Sequence, residues 1–360
     1  MTGIAVKPRA RVAAMPEYHP PLGNRDLTRL DFNENTLACS PRVAEAIRLL
    51  TCERLTKYPE RGTVEARAAA HLRLDPEQVV LTNGVDEAIH VLCQAFLEAG
   101  DELLLPVPTY TMYEIYAAQT DARLVTVQAG EDFAFPYERM LAAITPRTKL
   151  ICIANPNSPT GSVTTREQIL AICAAAPQAI VLADEAYFHF FGETVIDLVG
   201  QIPNLAVART FSKAYGLAGL RLGLLASSAE NMRWIRRVLS PYSVNSVALA
   251  ALPAALDDQL YLETYVTEVK RARMEFLLDL TGLNLRIWPT QANFVLVDIG
   301  ADHRGFVEHM RQAGILVRDR SADPGCQGLV RITIGTREQM RRASIAIENY
   351  LAQCKSGDRA

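Results

Sequence analysis

Short apolar runs alternate with helical patterns over residues 78–210 of the chain. Amphipathic stretches predict helices at about 85–97, 110–118 and 166–175. Apolar strands separated by helices are typical of an α/β fold, with a buried, mostly parallel sheet covered by helices on both faces. Ligands of such sheets bind at the carboxyl ends of the strands. The runs that predict these strands are QVVLT (78–82), DELLLP (101–106), RLVTV (123–127), KLICIAN (149–155), AIVLADE (179–185) and NLAVART (204–210).

The pattern changes on either side of this region. A helical stretch over 245–280 precedes the runs LRIWP, NFVLVDI, GILVRDR and LVRITIG, and an exposed helix is predicted at 337–352. These features predict a smaller α+β domain. Near the N-terminus, SPRVAEAIRLL places Ser40 as the N-cap and Pro41 as the first residue of a helix, which we expect to pack on the C-terminal region. We therefore expect an N-terminal arm with part of the small domain (1–50), a large domain (51–250) and the rest of the small domain (251–360).

Composition narrows the class of protein. The chain has 360 residues, of which 49% are hydrophobic and 21% charged, which is enough apolar surface for a full-sized core. The net charge of −3 and the lack of a dense basic block argue against a nucleic-acid partner. Seven scattered cysteines without CxxC spacing argue against a disulfide framework or a zinc site, and we expect no metal. Since no signal-peptide or membrane-spanning pattern stands out, we expect a cytoplasmic protein with no membrane partner.

The stretch RTFSKAYGLAGLRLG (209–223) carries the first candidate chemistry. Lys213 lies beside the hydroxyls of Thr210 and Ser212, and Arg221 follows among glycines. Hydroxyls with an arginine are typical of a phosphate site. A lysine next to a phosphate suggests covalent binding of pyridoxal phosphate, which carries an aldehyde and a phosphate on one ring. The alternative is an exposed lysine on a loop.

Two further stretches fit the same cofactor. Asp184 ends a predicted strand, where its carboxylate could hold the cofactor's pyridine nitrogen protonated or merely cap the next element. Tyr187 could donate to the phenolate oxygen of the ring. The stretch NGVDEAIH (83–90) opens a helix directly after a strand, so its amides could form a second wall of the phosphate site. Tyr110 could stack on the ring or be a core tyrosine.

The ordered set of motifs resembles the fold-type I pyridoxal-phosphate enzymes of the class I and II aminotransferase family, in the histidinol-phosphate aminotransferase branch. The resemblance covers nearly the whole chain. It implies a large domain with a mostly parallel sheet sandwiched by helices, plus a smaller α+β domain. The matching motifs are LDFNEN (30–35), KYPE (57–60), TNGVDE (82–87), PTYTMY (108–113), NPNSPTG (155–161), DEAY (184–187), RTFSKAYGLAGLRLG (209–223), and the pair VRDRS and VRITIGT (317–321 and 330–336).

The resemblance also implies roles for individual residues. Lys213 is matched to the lysine that bonds to the cofactor and moves a proton, Asp184 to the residue on the pyridine nitrogen, and Tyr187 to the residue on the phenolate oxygen. The phosphate cup and the stacking ring are matched by Gly84, Val85, Asp86, Thr210, Ser212, Arg221 and Tyr110.

Five more residues are assigned to substrate or subunit contacts. Tyr58 corresponds to a tyrosine that reaches the cofactor phosphate of a neighbouring subunit, which implies a homodimer with shared active sites; the alternative is a plain turn. Arg318 and Arg331 correspond to arginines that hold the anionic end of the substrate. The alternative interpretation is that both are surface charges on strands of the small domain. Asn33 and Asn35 are expected to line the entrance.

One position departs from the family. The family has an asparagine where NPNSPTG has Ser158, and that asparagine donates to the cofactor's phenolate oxygen. Serine is shorter, so we expect a weaker, water-mediated contact there, with Asn157 as the second candidate for this role.

The resemblance implies an enzyme of histidine biosynthesis that converts L-histidinol phosphate and 2-oxoglutarate to imidazole-acetol phosphate and glutamate. Three alternatives stay open: an aromatic amino acid aminotransferase, a decarboxylase or cyclase that uses the same cofactor, and a non-catalytic binding protein that kept the fold.

Overall fold

A seven-stranded sheet forms the centre of the molecule in the computed structural model, which describes residues 6–15, 17, 23 and 26–357. Its strand order is β2-β8-β7-β6-β5-β3-β4, and all pairs are parallel except the two that β8 makes with its neighbours. The strands are β2 (Val79–Thr82), β3 (Glu102–Val107), β4 (Arg123–Gln128), β5 (Thr148–Ala154), β6 (Ile180–Asp184), β7 (Leu205–Thr210) and β8 (Gly223–Ser227).

Both faces of this sheet are buried, which explains why most of its strands are continuous apolar runs. Successive side chains of a strand point to opposite faces. Leu104 and Val181 face one core, whereas Leu103 and Leu182 face the other. Only the edge strand β4 is largely open to solvent, and it carries the most polar sequence.

Fourteen helices are found in the described part of the chain. Helices α5, α6 and α10 pack on one face of the sheet, and α4, α7 and α8 contribute to the core on the other. No helix in the same described part is both long and apolar enough to cross a membrane. The helices are α1 (Ala10–Ala13), α2 (Pro41–Arg48), α3 (Cys52–Leu55), α4 (Gly62–Leu72), α5 (Gly84–Phe96), α6 (Met112–Ala118), α7 (Tyr137–Ala143), α8 (Arg166–Ala175), α9 (Phe188–Phe191), α10 (Ala229–Val238), α11 (Ser246–Asp257), α12 (Gln259–Gly282), α13 (His303–Gln312) and α14 (Arg337–Gly357).

Two small sheets join the ends of the chain. β1 (Thr28–Arg29) pairs in parallel with β10 (Ile315–Leu316), so the N-terminal segment does pack against the C-terminal region. A three-stranded antiparallel sheet contains β11 (Arg318–Asp319), β12 (Leu329–Thr333) and β9 (Phe294–Asp298). Ser40 caps α2 by accepting a hydrogen bond from the Arg42 backbone N–H, as its sequence predicted.

One strand was missed: β8, although its five residues are buried. The helical stretch predicted over 245–280 is helical, and it is divided into two helices, α11 and α12, which meet at Asp258. The Asp258 carboxylate accepts a hydrogen bond from the Ser40 hydroxyl, a contact with a distant part of the chain that local periodicity does not reveal.

The topology brings several strand ends to one edge of the large sheet. Thr82 and Thr210 each pair with Gly223, so β2 and β7 end beside the start of β8. Asp184 and Ala154 end the adjacent parallel strands β6 and β5. This edge is where a ligand is expected in an open parallel sheet.

Candidate active site

A cavity of about 320 Å³ opens at this edge of the sheet. It collects residues from all the motifs that the sequence suggested for cofactor binding except KYPE, although these motifs are spread over more than 130 positions of the chain. The predicted residues that line it are Val85, Asp86, Tyr110, Ser158, Asp184, Tyr187, Thr210, Ser212, Lys213 and Arg221.

Asp184 lies at the floor of the cavity and is almost completely buried. Its carboxylate accepts hydrogen bonds from the Tyr113 hydroxyl at 2.5 Å and from the Ala186 backbone N–H at 3.1 Å. Burial raises the pKa of Asp184 to about 6, and these two hydrogen bonds oppose that shift. Burial and the adjacent carboxylate also raise the pKa of Tyr113, so this phenol remains a hydrogen-bond donor.

Lys213 and Tyr187 are held by an N-terminal segment that contributes to the cavity lining. Lys213 Nζ donates to the Phe32 carbonyl at 2.8 Å and lies 5.9 Å from the centre of the Tyr187 ring. The Tyr187 hydroxyl accepts a hydrogen bond from Asn33 Nδ2 at 2.9 Å. The amine and the phenol are therefore positioned on the same side of the cavity by residues about 150–180 positions away in sequence.

The opposite end of the cavity has the donors of an anion site. Arg221 has a left-handed backbone conformation, with φ of +52°. Its guanidinium lies 3.4 Å from Ser212 Oγ and donates to the Asp86 carboxylate at 3.0 Å. The Tyr110 hydroxyl donates to the other Asp86 oxygen at 2.7 Å. The helix α5 begins here, so its first backbone N–H groups and the positive end of its dipole are at the same place.

Two glycines keep the backbone of this end open. A Cβ on Gly84, whose φ is +75°, would lie 2.6 Å from Arg221 Nη2. A Cβ on Gly223 would lie 2.6 Å from the Gly84 carbonyl carbon. The second contact is with backbone, so a side chain at position 223 would displace the start of α5, whereas at position 84 it is the left-handed φ that favours glycine. The motif therefore specifies the shape of the anion site as well as its donors.

Arg331 and Arg318 stand side by side on β12 and β11, directly paired in register. Arg331 is buried and donates to Ser158 Oγ at 2.9 Å and to the Asp31 carbonyl at 2.7 Å. Burial lowers the pKa of Arg331 to about 10. Within the described residues, Arg331 Nε and Arg318 Nη1 are buried without a hydrogen-bond partner. Buried donors of this kind are ordinarily satisfied, so the two paired arginines have N–H groups that can bind a ligand.

Several predicted site residues lie elsewhere. Asn157 does not line the cavity, because its side chain is bonded to Thr109, Thr160 and the Pro108 carbonyl. Ser158 lines it, and its hydroxyl contacts Arg331.

Asn33 and Asn35 do not line the entrance; both are buried. Asn33 bonds to Tyr187, and Asn35 Nδ2 donates to the Ala214 carbonyl. Tyr58 is also away from the cavity: it is 78% exposed, and its ring packs on Tyr242 with centroids 4.5 Å apart.

Sequence reasoning missed several functional positions. Glu34 lines the cavity between the two buried asparagines. Tyr113, which binds Asp184, was within a quoted motif but had no assigned role. Glu185 forms a buried ion pair with Arg209 at 2.7 Å, which ties the loop after β6 to β7. Each of these residues is in a motif, but its partner is far away in sequence, so no spacing rule identifies it.

His189, which follows the DEAY motif, behaves as a structural residue. His189 packs against Phe188 and Tyr215, and burial lowers its pKa to about 3, as expected for a neutral core histidine. No group of three or more potential metal ligands comes together in the part of the chain that the structure describes.

The donor set fits pyridoxal phosphate. An anion cup with Arg221, a buried carboxylate and a lysine amine all face one cavity, and bare glycine backbone leaves room at the phosphate end. These are the groups needed for a phosphate, a pyridine nitrogen and an aldehyde, respectively.

Comparison with known proteins gives an independent result. The model of the family described as "Aminotransferase class I and II" matches residues 25–347. A histidinol-phosphate aminotransferase from Geobacillus sp. is 32% identical over 96% of this chain and 98% of its own length. One from Methanococcoides burtonii is 37% identical over 86% of each chain. The crystal structure of histidinol-phosphate aminotransferase from Sinorhizobium meliloti in complex with pyridoxal-5'-phosphate superposes with a TM-score of 0.87 at 26% identity, covering 96% of this chain and 98% of that one.

Proposed function

The chain belongs to the class I and II aminotransferases, and from this membership we propose that it transfers the amino group of L-histidinol phosphate to 2-oxoglutarate with pyridoxal phosphate as cofactor. The observation that carries the proposal is that Lys213 and the buried Asp184 line the same cavity. The paired arginines Arg318 and Arg331 lie next to it. The substrate in this proposal is taken from the names of the related proteins. The residues of the cavity and the paired arginines provide the groups that would bind it.

Asp184 provides a fixed negative charge in a water-excluded site. When bound, pyridoxal phosphate supplies an aldehyde for the substrate amine and a ring that withdraws electrons from the substrate carbon. The Asp184 carboxylate, held by Tyr113 and Ala186, is placed to keep the ring nitrogen protonated. Tyr187 is placed to donate to the phenolate oxygen while Asn33 donates to the tyrosine hydroxyl.

Lys213 acts as the acid and the base. Its amine takes the proton from the substrate carbon that bears the amino group and returns a proton in the later step, so one group serves both halves of the reaction. The Phe32 carbonyl holds the amine at 2.8 Å, which fixes its position between transfers.

Arg331 and Arg318 bind the anionic end of either substrate. A guanidinium presents a fork of donors that suits both a phosphate and a carboxylate. The pair therefore accepts histidinol phosphate in one half-reaction and 2-oxoglutarate or glutamate in the other. Their unpartnered buried N–H groups support this role.

A homodimer with shared active sites forms part of the proposal. Tyr58 and Tyr242 make an exposed aromatic pair on the surface, and such residues are enriched at protein interfaces. Tyr58 is then the residue that reaches the phosphate cup of the partner subunit. We place this enzyme in the cytoplasm, since its seven cysteines are all unpaired.

The amino-donor preference tests the substrate. The yellow cofactor-loaded protein should bleach with L-histidinol phosphate with a kcat/KM at least about 100-fold above that for phenylalanine or tyrosine. Only the phosphorylated amine brings a phosphate of nearly two negative charges to the arginine pair, whereas the amino acids bring a carboxylate of one. The measurement is single-turnover absorbance with each donor, followed by recovery of colour with 2-oxoglutarate. Faster bleaching with phenylalanine or tyrosine would instead identify an aromatic aminotransferase, and carbon dioxide release would identify a decarboxylase.

Subunit mixing tests the shared site. Neither the Lys213→Ala homodimer nor the Tyr58→Ala homodimer should be fully active, but their hybrid has one site with both residues intact. An equimolar, re-equilibrated mixture should recover up to about a quarter of wild-type activity, because half of the dimers are hybrids with one good site each. No recovery in a mixture whose hybrids are demonstrated by differently tagged subunits would place Tyr58 outside the site of its neighbour.

A further inference from the structure

Tyr113 is a side chain that reaches Asp184 from the helical layer outside the sheet. Leu182 of β6 faces the core that α6 covers, and Asp184, two residues later on the same strand, points to the same face. Tyr113 lies in the first turn of α6, belongs to that core and is completely buried. Its hydroxyl donates to Asp184 Oδ2 at 2.5 Å, so this contact joins the helix to the end of the strand.

The Tyr113 ring is held by its neighbours. The rings of Tyr110 and Tyr113 meet edge-on, with centroids 5.8 Å apart and planes at 89°, which is a favoured arrangement of two aromatic rings. Tyr110 in turn donates to Asp86, which pairs with Arg221. The hydroxyl is therefore presented to Asp184 from a fixed ring, as a residue that positions a reacting group requires.

Burial and two neighbouring carboxylates favour the neutral form of Asp184. Burial is the largest cause that raises the pKa of Asp184, and the charges of Asp86 and Glu185 raise it further. The hydrogen bonds from Tyr113 and from the Ala186 backbone N–H oppose this shift of the pKa. The titratable and charged groups near the carboxylate are Tyr110 and Tyr113 at the start of α6, Asp86 on α5, Cys152 on β5, Glu185 after β6, and Tyr187 and Lys213 in the shared cavity lining.

Tyr113 remains protonated in this position. Burial and the Asp184 charge raise its pKa well above the ordinary value. The proton of this hydrogen bond therefore belongs to the phenol, and the Asp184 carboxylate accepts it. Removal of the hydroxyl would leave the buried carboxylate with one donor fewer, which would make Asp184 a stronger base.

We infer that Tyr113 is a positioning residue that keeps the proton between Asp184 and the cofactor on the ring nitrogen. This inference rests on the proposed function, which assigns the Asp184 carboxylate to that nitrogen. A carboxylate that accepts a hydrogen bond from Tyr113 is a weaker base, so it leaves the proton on the ring. Without the hydroxyl the proton would pass to Asp184, and both the carboxyl group and the ring nitrogen would become neutral.

The first test is chemical denaturation of cofactor-free protein. Tyr113→Phe keeps the buried ring and removes only the hydroxyl. The stability of the wild type falls as the pH rises from 3.8 to about 6, because the folded chain holds a proton on Asp184 that the unfolded chain releases. In Tyr113→Phe the upper end of this window should move up by about one pH unit. In an Asp184→Asn background the same substitution should change the free energy of unfolding equally at about pH 4 and about pH 7.5, since the carboxyl group is gone.

The second test follows the ring proton in the cofactor-loaded enzyme. With cofactor isotopically labelled at its ring nitrogen, the nitrogen NMR signal of the wild type should be that of a protonated ring. In Tyr113→Phe this signal should move towards that of an unprotonated ring, and the rate of bleaching with the amino donor should fall about tenfold. A purely structural effect of the substitution would lower the rate without moving the signal.

Tyr265→Phe is the matched control. Tyr265 is also a buried tyrosine on a helix, α12, but its ring packs against Phe190 and it does not line the cavity. This substitution should leave the pH dependence of stability and the nitrogen signal as they are in the wild type.

Two outcomes overturn the inference. A pH dependence of stability that is the same in Tyr113→Phe as in the wild type would show that Tyr113 does not control the ionisation of Asp184. A nitrogen signal that stays at the protonated position in Tyr113→Phe would show that the hydrogen bond does not place the ring proton. Both outcomes leave the proposed function intact if wild-type protein bleaches with histidinol phosphate. Wild-type protein that gains no yellow colour from the cofactor overturns the proposed function and the inference that rests on it.

Discussion

Lys213→Ala should lower the rate of the amino-donor half-reaction by about 10³- to 10⁴-fold, because the variant has lost the group that transfers the proton. No other amine lines the described cavity. The measurement is the single-turnover bleaching rate of cofactor-loaded protein with saturating donor. Lys270→Ala, which removes a lysine from α12 outside the cavity, should retain the wild-type rate.

A second measurement separates proton transfer from structure. If Lys213 acts as acid and base, small primary amines added to Lys213→Ala should restore part of the rate, in proportion to their basicity. Borohydride treatment followed by peptide mass mapping should leave the cofactor mass on Lys213 in wild-type protein and nowhere in the variant. A variant that keeps more than about a tenth of the rate would contradict the assignment, since general acid–base catalysis contributes far more.

Asp184→Asn should lower the half-reaction rate by about 10³-fold while making the cofactor-free protein more stable at neutral pH. The loss of rate follows because a neutral amide cannot hold the ring nitrogen protonated. The gain in stability follows because burial raises the pKa of Asp184 from 3.8 to about 6, so an ionised carboxylate is held in an unfavourable place. Asp184 is therefore expected to raise the rate of the reaction and to lower the stability of the cofactor-free protein.

The pH dependence of that stability has a definite sign. Between pH 3.8 and about 6 the folded chain keeps a proton on Asp184 that the unfolded chain releases. Stability of the wild type therefore falls as the pH rises through this window and is constant with respect to this group above it. The shift corresponds to about 3 kcal/mol at most.

Chemical denaturation of the two cofactor-free proteins provides the measurement. The free energy of unfolding of Asp184→Asn should exceed that of the wild type at pH 7.5, and the difference should disappear near pH 4. Asp197→Asn is the matched control, because that carboxylate is exposed and paired with Arg166, and the partner lowers its pKa. It should not become more stable at neutral pH. Equal stability of wild type and Asp184→Asn at both pH values would show that the carboxylate is not strained by burial.

Much of the large sheet could be predicted from the sequence. The six predicted strands agree with the observed ones to within about one residue, because five of them are buried apolar runs and the edge strand β4 is also rich in residues that favour strands. The strand β8 was not recognised, since a five-residue apolar run next to a glycine-rich motif has no periodicity that distinguishes it. The division between α11 and α12 was also not recognised, and the Asp258 residue at this division bonds to Ser40, 218 positions away.

The candidate site shows the same division. The motifs predicted that Lys213, Asp184, Tyr187 and Arg221 lie at one cavity, and they do. The functional group of each residue is part of its own side chain, and each lies at or within a few residues of a strand terminus. The asparagines of NEN were assigned to the entrance, but both are buried and hydrogen-bonded, and Glu34 between them is the residue of NEN that lines the cavity. In a segment without regular secondary structure, the sequence does not show which of several neighbouring residues is buried and which lines the cavity.

The sequence by itself determined which chemical groups this protein has and at which end of which strand most of them lie, because strand patterns and glycine-rich turns are local properties of the chain. Only the tertiary structure decided how those groups are held. The Asp31 carbonyl supports Arg331 from 300 positions away, Asn33 supports Tyr187 from 154, and Tyr113 supports Asp184 from 71. Such contacts depend on how the elements pack together, and no pattern within a single element encodes its partner.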